Sequence, residues 1–154
     1  MEIIIKTQVI RENSIDYTLE HPDKVFRYWN EEIATNPSFD QEKEHLYVLM
    51  LDSKLYIKAH NLVTMGLINQ TLMHAREIFK PAIVMSACHI ILAHNHPSGD
   101  PSPSSDDIQS TRQIIKAGQV LGIPLLDHVV IGKQTEKHPS GYVSLKQLGI
   151  LHCD

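Results

Sequence analysis

Residues Cys88-His89-Ile90-Ile91-Leu92-Ala93-His94-Asn95-His96-Pro97-Ser98-Gly99-Asp100-Pro101-Ser102-Pro103-Ser104-Ser105-Asp106-Asp107 decide how the chain is read. Segment 88–93 is short, apolar and β-branched, as a central strand covered on both faces requires. His94 and His96 follow, then a loop rich in Pro, Ser and Gly, then a segment of helical periodicity. On an extended strand residues i and i+2 share a side, so both imidazoles can reach one ion while Asn95 faces away. Ser104-x-x-Asp107 has the form of a capping box, and an acid on the first turn is favoured by the helix dipole. Each half has an explanation without a metal: two histidines in a loop mouth, and a helix cap. Joined by one short loop, they offer two histidines and a carboxylate and leave a fourth tetrahedral position open, the layout of a catalytic zinc site. Asp106 is the alternative third ligand, and Asp100 reads as a turn residue.

Outward from this stretch, strands and helices alternate, which predicts an α/β fold with a mixed β-sheet flanked by helices. Residues 2–11 read as a strand. Residues 23–35 read as a helix with Val25, Phe26, Trp29 and Ile33 at its apolar stripe, opened near Pro22 and closed by Asn36-Pro37. Residues 38–43 are a polar connection. Glu44–Leu51 is the first strongly buried strand, Asp52-Ser53-Lys54 a turn, and Leu55–Thr64 its hairpin partner, with an exit bend at Gly66. A helix over 75–86 would face the core with Ile78, Phe79, Ala82 and Ile83, and Pro81 requires a kink or a fresh helical turn. Residues 105–121 form a helix with Ile108, Thr111, Ile115 and Leu121 on one face, ended by Gly122 and Pro124. Leu125–Ile131 is a further buried strand, 132–141 a polar loop, Tyr142–Ser144 an edge strand and 145–150 a short helical turn. Cys88 reads as a small buried core residue, Cys153 as tail, and His74 as a cap or surface residue.

The 154 residues suit one domain over 1–154, with a strand and helix over 1–37 ahead of a core over 38–152. A net charge of −4 argues against a strong nucleic-acid binder. No apolar run is long enough to span a bilayer, and Met1–Lys6 lacks the features of a signal peptide. Two cysteines are too few for a disulfide framework. A cytoplasmic protein is the simplest reading. The oligomeric state is open.

His94-x-His96-Pro97, six residues and Ser104-x-x-Asp107 are similar to the JAMM metalloprotease signature. With Arg76-Glu77-Ile78-Phe79 upstream and Asp127-His128 downstream, the stretch His94–Asp100 resembles the bacterial RadC family over about residues 38–152. The resemblance implies a cytidine-deaminase-like sandwich and one zinc ion per chain held by His94, His96 and Asp107. It also implies an upstream glutamate, which falls at the entry to the first core strand and matches Glu44, with Glu42 two residues away as the alternative. In that chemistry Glu44 holds the water activated by zinc, takes its proton and passes it to a leaving amine. Ser104 donates to the oxyanion, and Asn95, Pro97 and Gly99 shape the loop. Asp127-His128 is either a support for the metal site or a satisfied structural pair.

Three functions compete. A zinc-dependent hydrolase would cut a peptide, isopeptide or other amide bond in an unknown peptide or protein substrate; JAMM relatives cut isopeptide bonds at ubiquitin-like tags. A DNA repair or recombination role is the traditional label of the family. Many relatives carry a helix-hairpin-helix DNA-binding domain, whereas the roughly 40 residues before Glu44 here contain only a strand and a helix. A non-catalytic module would keep the metal as a structural clip. A zinc nucleobase deaminase is excluded, because position 96 is His rather than Glu and no C-x-x-C occurs. An HNH nuclease is not implied by His94-Asn95-His96, since its three residues are dispersed.

Overall fold

A computed structural model describes residues 11–12, 15–66 and 73–151. Among the described residues, six strands form one mixed sheet in the order β1-β3-β2-β4-β5-β6. These are β1 (Arg11–Glu12), β2 (Glu44–Leu51), β3 (Ile57–Gly66), β4 (His89–Asn95), β5 (Leu125–Ile131) and β6 (Tyr142–Ser144). Only β4 and β5 run parallel, joined by a crossover through helix α3 (Ser105–Leu121). Helices α2 (Ala75–Val84) and α3 cover one face; α1 (Pro22–Tyr28) and its continuation over Trp29–Ile33 cover the other. The strand expected over 2–11 lies almost wholly outside the described residues; Arg11 and Glu12 pair antiparallel with His60 and Ala59.

Strand alternation sorts the two cores. Leu46, Val48, Met50, Ile90 and Leu92 pack against Ile78, Phe79, Ile114 and Ile115. Leu49, Leu51, Ile91, Ala93, Val129 and Ile131 pack against Val25, Tyr28, Trp29 and Ile33. Each such side chain contributes about 1.5–3 kcal/mol when fully removed from water. The sheet is therefore buried on both faces at β2 and β4, and the ends of those strands are held rigidly between two layers.

Several local expectations are corrected. The first helix widens into a π-helical turn over Trp29–Ile33, with Ala34 N–H donating to Trp29 O at 2.8 Å. The additional residue in that turn lets Tyr28, Trp29 and Ile33 all face inward, and Phe26 is only half-buried. Leu55 belongs to the hairpin turn, not to β3. It adopts φ 68°, and Asp52 Oδ1 accepts from Lys54 N–H and Tyr56 N–H at 2.8 and 3.0 Å. Helix α2 continues through a buried Pro81, but Ile83 is 56% exposed, because the buried positions 78, 79, 81 and 82 already span the packed face. On α3 the inward face is Asp107, Thr111, Ile114, Ile115 and Gly118, which leaves Leu121 47% exposed and Ile108 half-buried. Cys88 is exposed, since the strand begins one residue later. His74 sits exposed at the N-cap of α2 with no side-chain cap, and residues 145–149 form a hydrogen-bonded turn. Among the described residues no helix is long and apolar enough to cross a membrane.

Gly118 separates sequence propensity from packing. In an isolated helix, Gly118→Ala stabilises by about 1 kcal/mol. Here the new Cβ would lie 2.6 Å from the Ile123 carbonyl oxygen and 3.3 Å from Phe79 Cζ. We expect Gly118→Ala to lose roughly 1–3 kcal/mol in a denaturant titration; a gain in stability would show that the α3 C-terminus is looser than described.

Candidate metal centre

The parallel pair β4–β5 and the crossover into α3 create a crevice at the carboxyl ends of the two strands, where α/β sheets commonly bind ligands. His94 lies on the α3 side of β4, in register with Val130 of β5 and Leu46 of β2. His96 follows just past the strand end. Ser104 caps α3: its Oγ accepts from Asp107 N–H at 3.0 Å, and Asp107 Oδ2 accepts from Ser104 N–H at 2.9 Å. The reciprocal bonds turn the Asp107 carboxylate back toward the histidines. Glu44, the first residue of β2, completes the group, and one atom from each of Glu44, His94, His96 and Asp107 lies within 4.8 Å of the others. Glu42 and Asp106 are exposed and stand outside the cluster.

The separations suit a small cation. The two Nε2 atoms are 3.0 Å apart, and Asp107 Oδ2 lies 3.5 Å from that of His94 and 3.4 Å from that of His96. Tetrahedral zinc with bonds of 2.0–2.1 Å requires ligand–ligand edges of about 3.3–3.4 Å. Glu44 Oε1 is 3.5 Å from His94 Nε2 and 3.8 Å from His96 Nε2, at the remaining side.

Hydrogen bonding determines which atoms carry protons when the rings are neutral. His96 Nδ1 is 2.8 Å from the Asp100 carbonyl oxygen, which can only accept, so Nδ1 is protonated and Nε2 presents a lone pair. Thr111 Oγ1 donates to the Asp107 carbonyl at 2.5 Å and so accepts from His128 Nδ1–H at 2.7 Å. His128 Nε2 then accepts from His94 Nδ1–H at 2.6 Å, leaving His94 Nε2 as a lone pair too. With the rings neutral, two Nε2 lone pairs converge with the carboxyl groups of Asp107 and Glu44, an arrangement that a cation satisfies.

Adjacent strand residues serve opposite faces. Between the two histidines, Asn95 accepts from His45 N–H at 2.8 Å and donates to the Lys43 carbonyl at 3.0 Å. It brackets Glu44 on both sides, so its side chain clamps the start of β2 instead of shaping the loop. Asp127 and His128 divide likewise. His128 supports His94, whereas Asp127 turns away and accepts from Ser144 Oγ, His128 N–H and Lys146 N–H, tying β5 to β6 and the turn after it. Thr111 had no signal in the sequence beyond its i+4 spacing from Asp107. The supports of the loop are tight: Lys133 N–H donates to the Gly99 carbonyl at 2.8 Å, and a Cβ on Gly132 would meet Pro101 Cδ at 2.8 Å.

The charges follow from this packing. Burial pushes the Glu44 carboxyl up to about 7, with His96 opposing the shift and the Asp107 charge adding to it. Burial also acts upward on Asp107, but the His94 and His96 imidazoles beside it and the Ser104 N–H hold it well below the usual carboxylate range. Burial lowers His94 and His128. On His96 burial acts downward but is outweighed by Asp107 and the Asp100 carbonyl, so the imidazole is raised.

Comparison with known proteins places these residues in a family. The sequence model described as RadC-like JAB domain matches residues 19–150. A UPF0758 protein of Desulforamulus reducens is 42% identical over 112 residues, covering 73% of this chain and 47% of that protein. A UPF0758 protein of Methanococcoides burtonii is 44% identical over 110 residues, 71% of this chain and 45% of the relative. One from Desulfitobacterium hafniense is 46% identical over 110 residues, with 71% and 46% covered. The chain spans about half the length of the relatives it matches.

Two outcomes test this geometry. His128→Ala or Thr111→Val should weaken divalent-metal affinity roughly 10–100-fold by chelator competition, with Thr111→Ser close to wild type; unchanged affinity would show that the relay does not orient His94. In metal-free protein, an acid whose folded pKa is raised disfavours the folded state above that pKa, and the cost vanishes below its unfolded value. Glu44→Gln should therefore raise the melting temperature above pH 7, with the gain shrinking as pH falls from about 7 toward the ordinary value of 4.5. A gain independent of pH would contradict the burial of an ionisable Glu44.

Proposed function

Since the chain belongs to the RadC family, described by its RadC-like JAB domain, we propose that it is a zinc-dependent hydrolase of peptide, isopeptide or related amide bonds. The observation that supports this most is the convergence of the His94 and His96 Nε2 atoms with the Asp107 and Glu44 carboxyl groups. His94, His96 and Asp107 would hold the ion. The chemistry it supplies is Lewis acidity and a water acidified to a pKa of about 7.

The protein side chains perform the remaining steps. Glu44 Oε1 stands 3.5 Å from His94 Nε2, and the backbone on both sides of Glu44 is held by the bonds that Asn95 makes to Lys43 and His45. Near neutral pH it can take a proton from water and hand it to the leaving amine, as a general base and then acid. Ser104 uses its Oγ lone pair to accept from Asp107 N–H, so its hydroxyl proton is left for the oxyanion that develops on the attacked carbonyl. The Ser104 N–H orients the Asp107 ligand, and the Thr111–His128 relay orients His94.

Purified full chain should take up about one zinc per chain, measured by plasma mass spectrometry. Zinc-loaded protein should cleave members of a fluorogenic peptide and isopeptide panel. Glu44→Gln should retain the metal and lose at least about 100-fold in rate. His96→Ala should lose both metal and activity. Failure to bind zinc or another divalent transition ion would overturn the reading. A structural clip would instead show a melting temperature lowered by chelator and no change in any function on Glu44→Gln.

A further inference from the structure

A cavity of about 490 Å³ opens on the α1 face of the sheet, where β4 and β5 begin. Its walls include Pro22 and Val25 of α1, His89 and Ile91 of β4, and Leu126 and Asp127 of β5. The metal cluster lies elsewhere, on the α3 face and at the opposite ends of the same two strands, and none of its four residues lines this cavity. The volume falls within the roughly 300–1,000 Å³ of small-molecule sites.

The lining combines aliphatic surface with hydrogen-bond acceptors. Asp127 is 5% exposed and is the buried charge of the wall. It accepts from the Ser144 hydroxyl at 2.6 Å and from the His128 and Lys146 N–H groups at 2.7 and 3.1 Å. Ser144 and Lys146 line the cavity too, so this knot stands in its wall. All three donors are neutral, and among the described residues no cation pairs with the carboxylate. Oδ1 takes two of the bonds and Oδ2 one, which leaves Oδ2 a further lone pair. His89 stands two residues before Ile91, the register partner of Asp127. Its Nδ1 is buried and has no hydrogen-bond partner among the described residues, and with the ring proton on Nε2 this atom accepts. An ammonium group carries three donors and no acceptor, so it matches both walls. Glu20 and Lys146 add one charge of each sign at the rim, and both are exposed and screened by solvent.

We infer that this cavity binds a primary aliphatic amine, with the ammonium on Asp127 and His89 and the hydrocarbon body against Leu19, Val25 and Ile91. The inference is independent of the hydrolase reading. Two sources carry that chemistry: a free amine, or the side chain of a lysine residue.

The full chain, metal-free and with zinc added, is titrated near neutral pH with hexylamine, hexanol, hexanoate and N-acetyllysine methylamide, and methyl chemical shifts are followed by carbon–proton NMR. We expect hexylamine to bind about tenfold more tightly than hexanol, as a charge-assisted hydrogen bond provides. It should shift the Val25, Ile91 and Leu126 methyls with the same affinity whether or not zinc is present. The preference should disappear in Asp127→Asn, whose carbonyl can accept from the His128 and Lys146 N–H groups and whose amide can donate to the Ser144 hydroxyl. It should persist in Glu20→Gln at the exposed rim. His89→Leu, at a position only partly buried, should lower hexylamine affinity several-fold and leave hexanol unchanged, which keeps the test open if Asp127→Asn does not fold. Tightest binding of the lysine derivative, lost in Asp127→Asn, would support the site and assign the amine to a lysine side chain. Equal affinity for amine and alcohol, stronger binding of hexanoate, or a preference lost in Glu20→Gln but kept in Asp127→Asn would each overturn it. So would shifts confined to methyls near the metal cluster, such as Leu46 and Val130, or no saturable shift with any probe.

Discussion

Two backbone carbonyl oxygens, those of Asp100 and Asp107, control the centre. A carbonyl cannot donate, so each dictates the proton on the group that meets it. From Asp100 the constraint passes directly to His96; from Asp107 it passes through Thr111 and His128 to His94. With the rings neutral, both chains end with an Nε2 lone pair in the same cluster. The Asp107 residue takes part twice, with its carbonyl at the start of one relay and its carboxylate at the end of the cluster. Tilting the first turn of α3 would therefore disturb one candidate ligand and the orientation of another together.

The sheet makes that precision affordable in space. With period-2 alternation, a polar residue on each face can be added without shifting its neighbour. His94 and Asn95 exploit this: one faces the candidate metal cluster, the other secures the strand that bears Glu44. Asp127 and His128 repeat the device one strand over, with a knot to β6 on one face and the relay on the other. Polar groups so deep in the protein are tolerated because they are bonded; a buried group without a partner would cost about 1–3 kcal/mol.

Much of this was legible from residue types. The apolar strand, the histidines two apart and the capping box each have a short-range signature, and all fall where the sequence reading places them. Glu44 was reachable only through family resemblance, because the fifty residues between it and His94 close by strand pairing, which no local pattern encodes. Thr111 and the division between Asp127 and His128 depend on which strand and helix face each other, a tertiary matter. Ile83 and Leu121 show the limit of periodicity: an apolar residue roughly one position off the packed face looks the same in sequence as one on it. Cys88 is exposed because the strand begins at His89, and a one-residue boundary lies within the ordinary scatter of such readings.

Glu44 shows how stability and chemistry conflict in this fold. A carboxylate largely removed from water beside another carboxylate is a poor way to stabilise a strand end, and burial is the larger cause of its raised pKa. Moved outward by two residues, to the position of Glu42, it would be exposed and comfortable but outside the cluster. Its inward position is maintained by others: Asn95 fixes the backbone on both sides of it, and strand β2, buried along nearly its whole length, fixes the direction of the chain. The same burial that disfavours the charge brings the proton affinity of Glu44 close to neutrality, the range that the proposed acid–base role would require. A surface glutamate would hold its charge more easily and accept a proton less readily. The strain of the site is thus concentrated in one residue, and the neighbours that oppose it are the ones with no chemistry of their own.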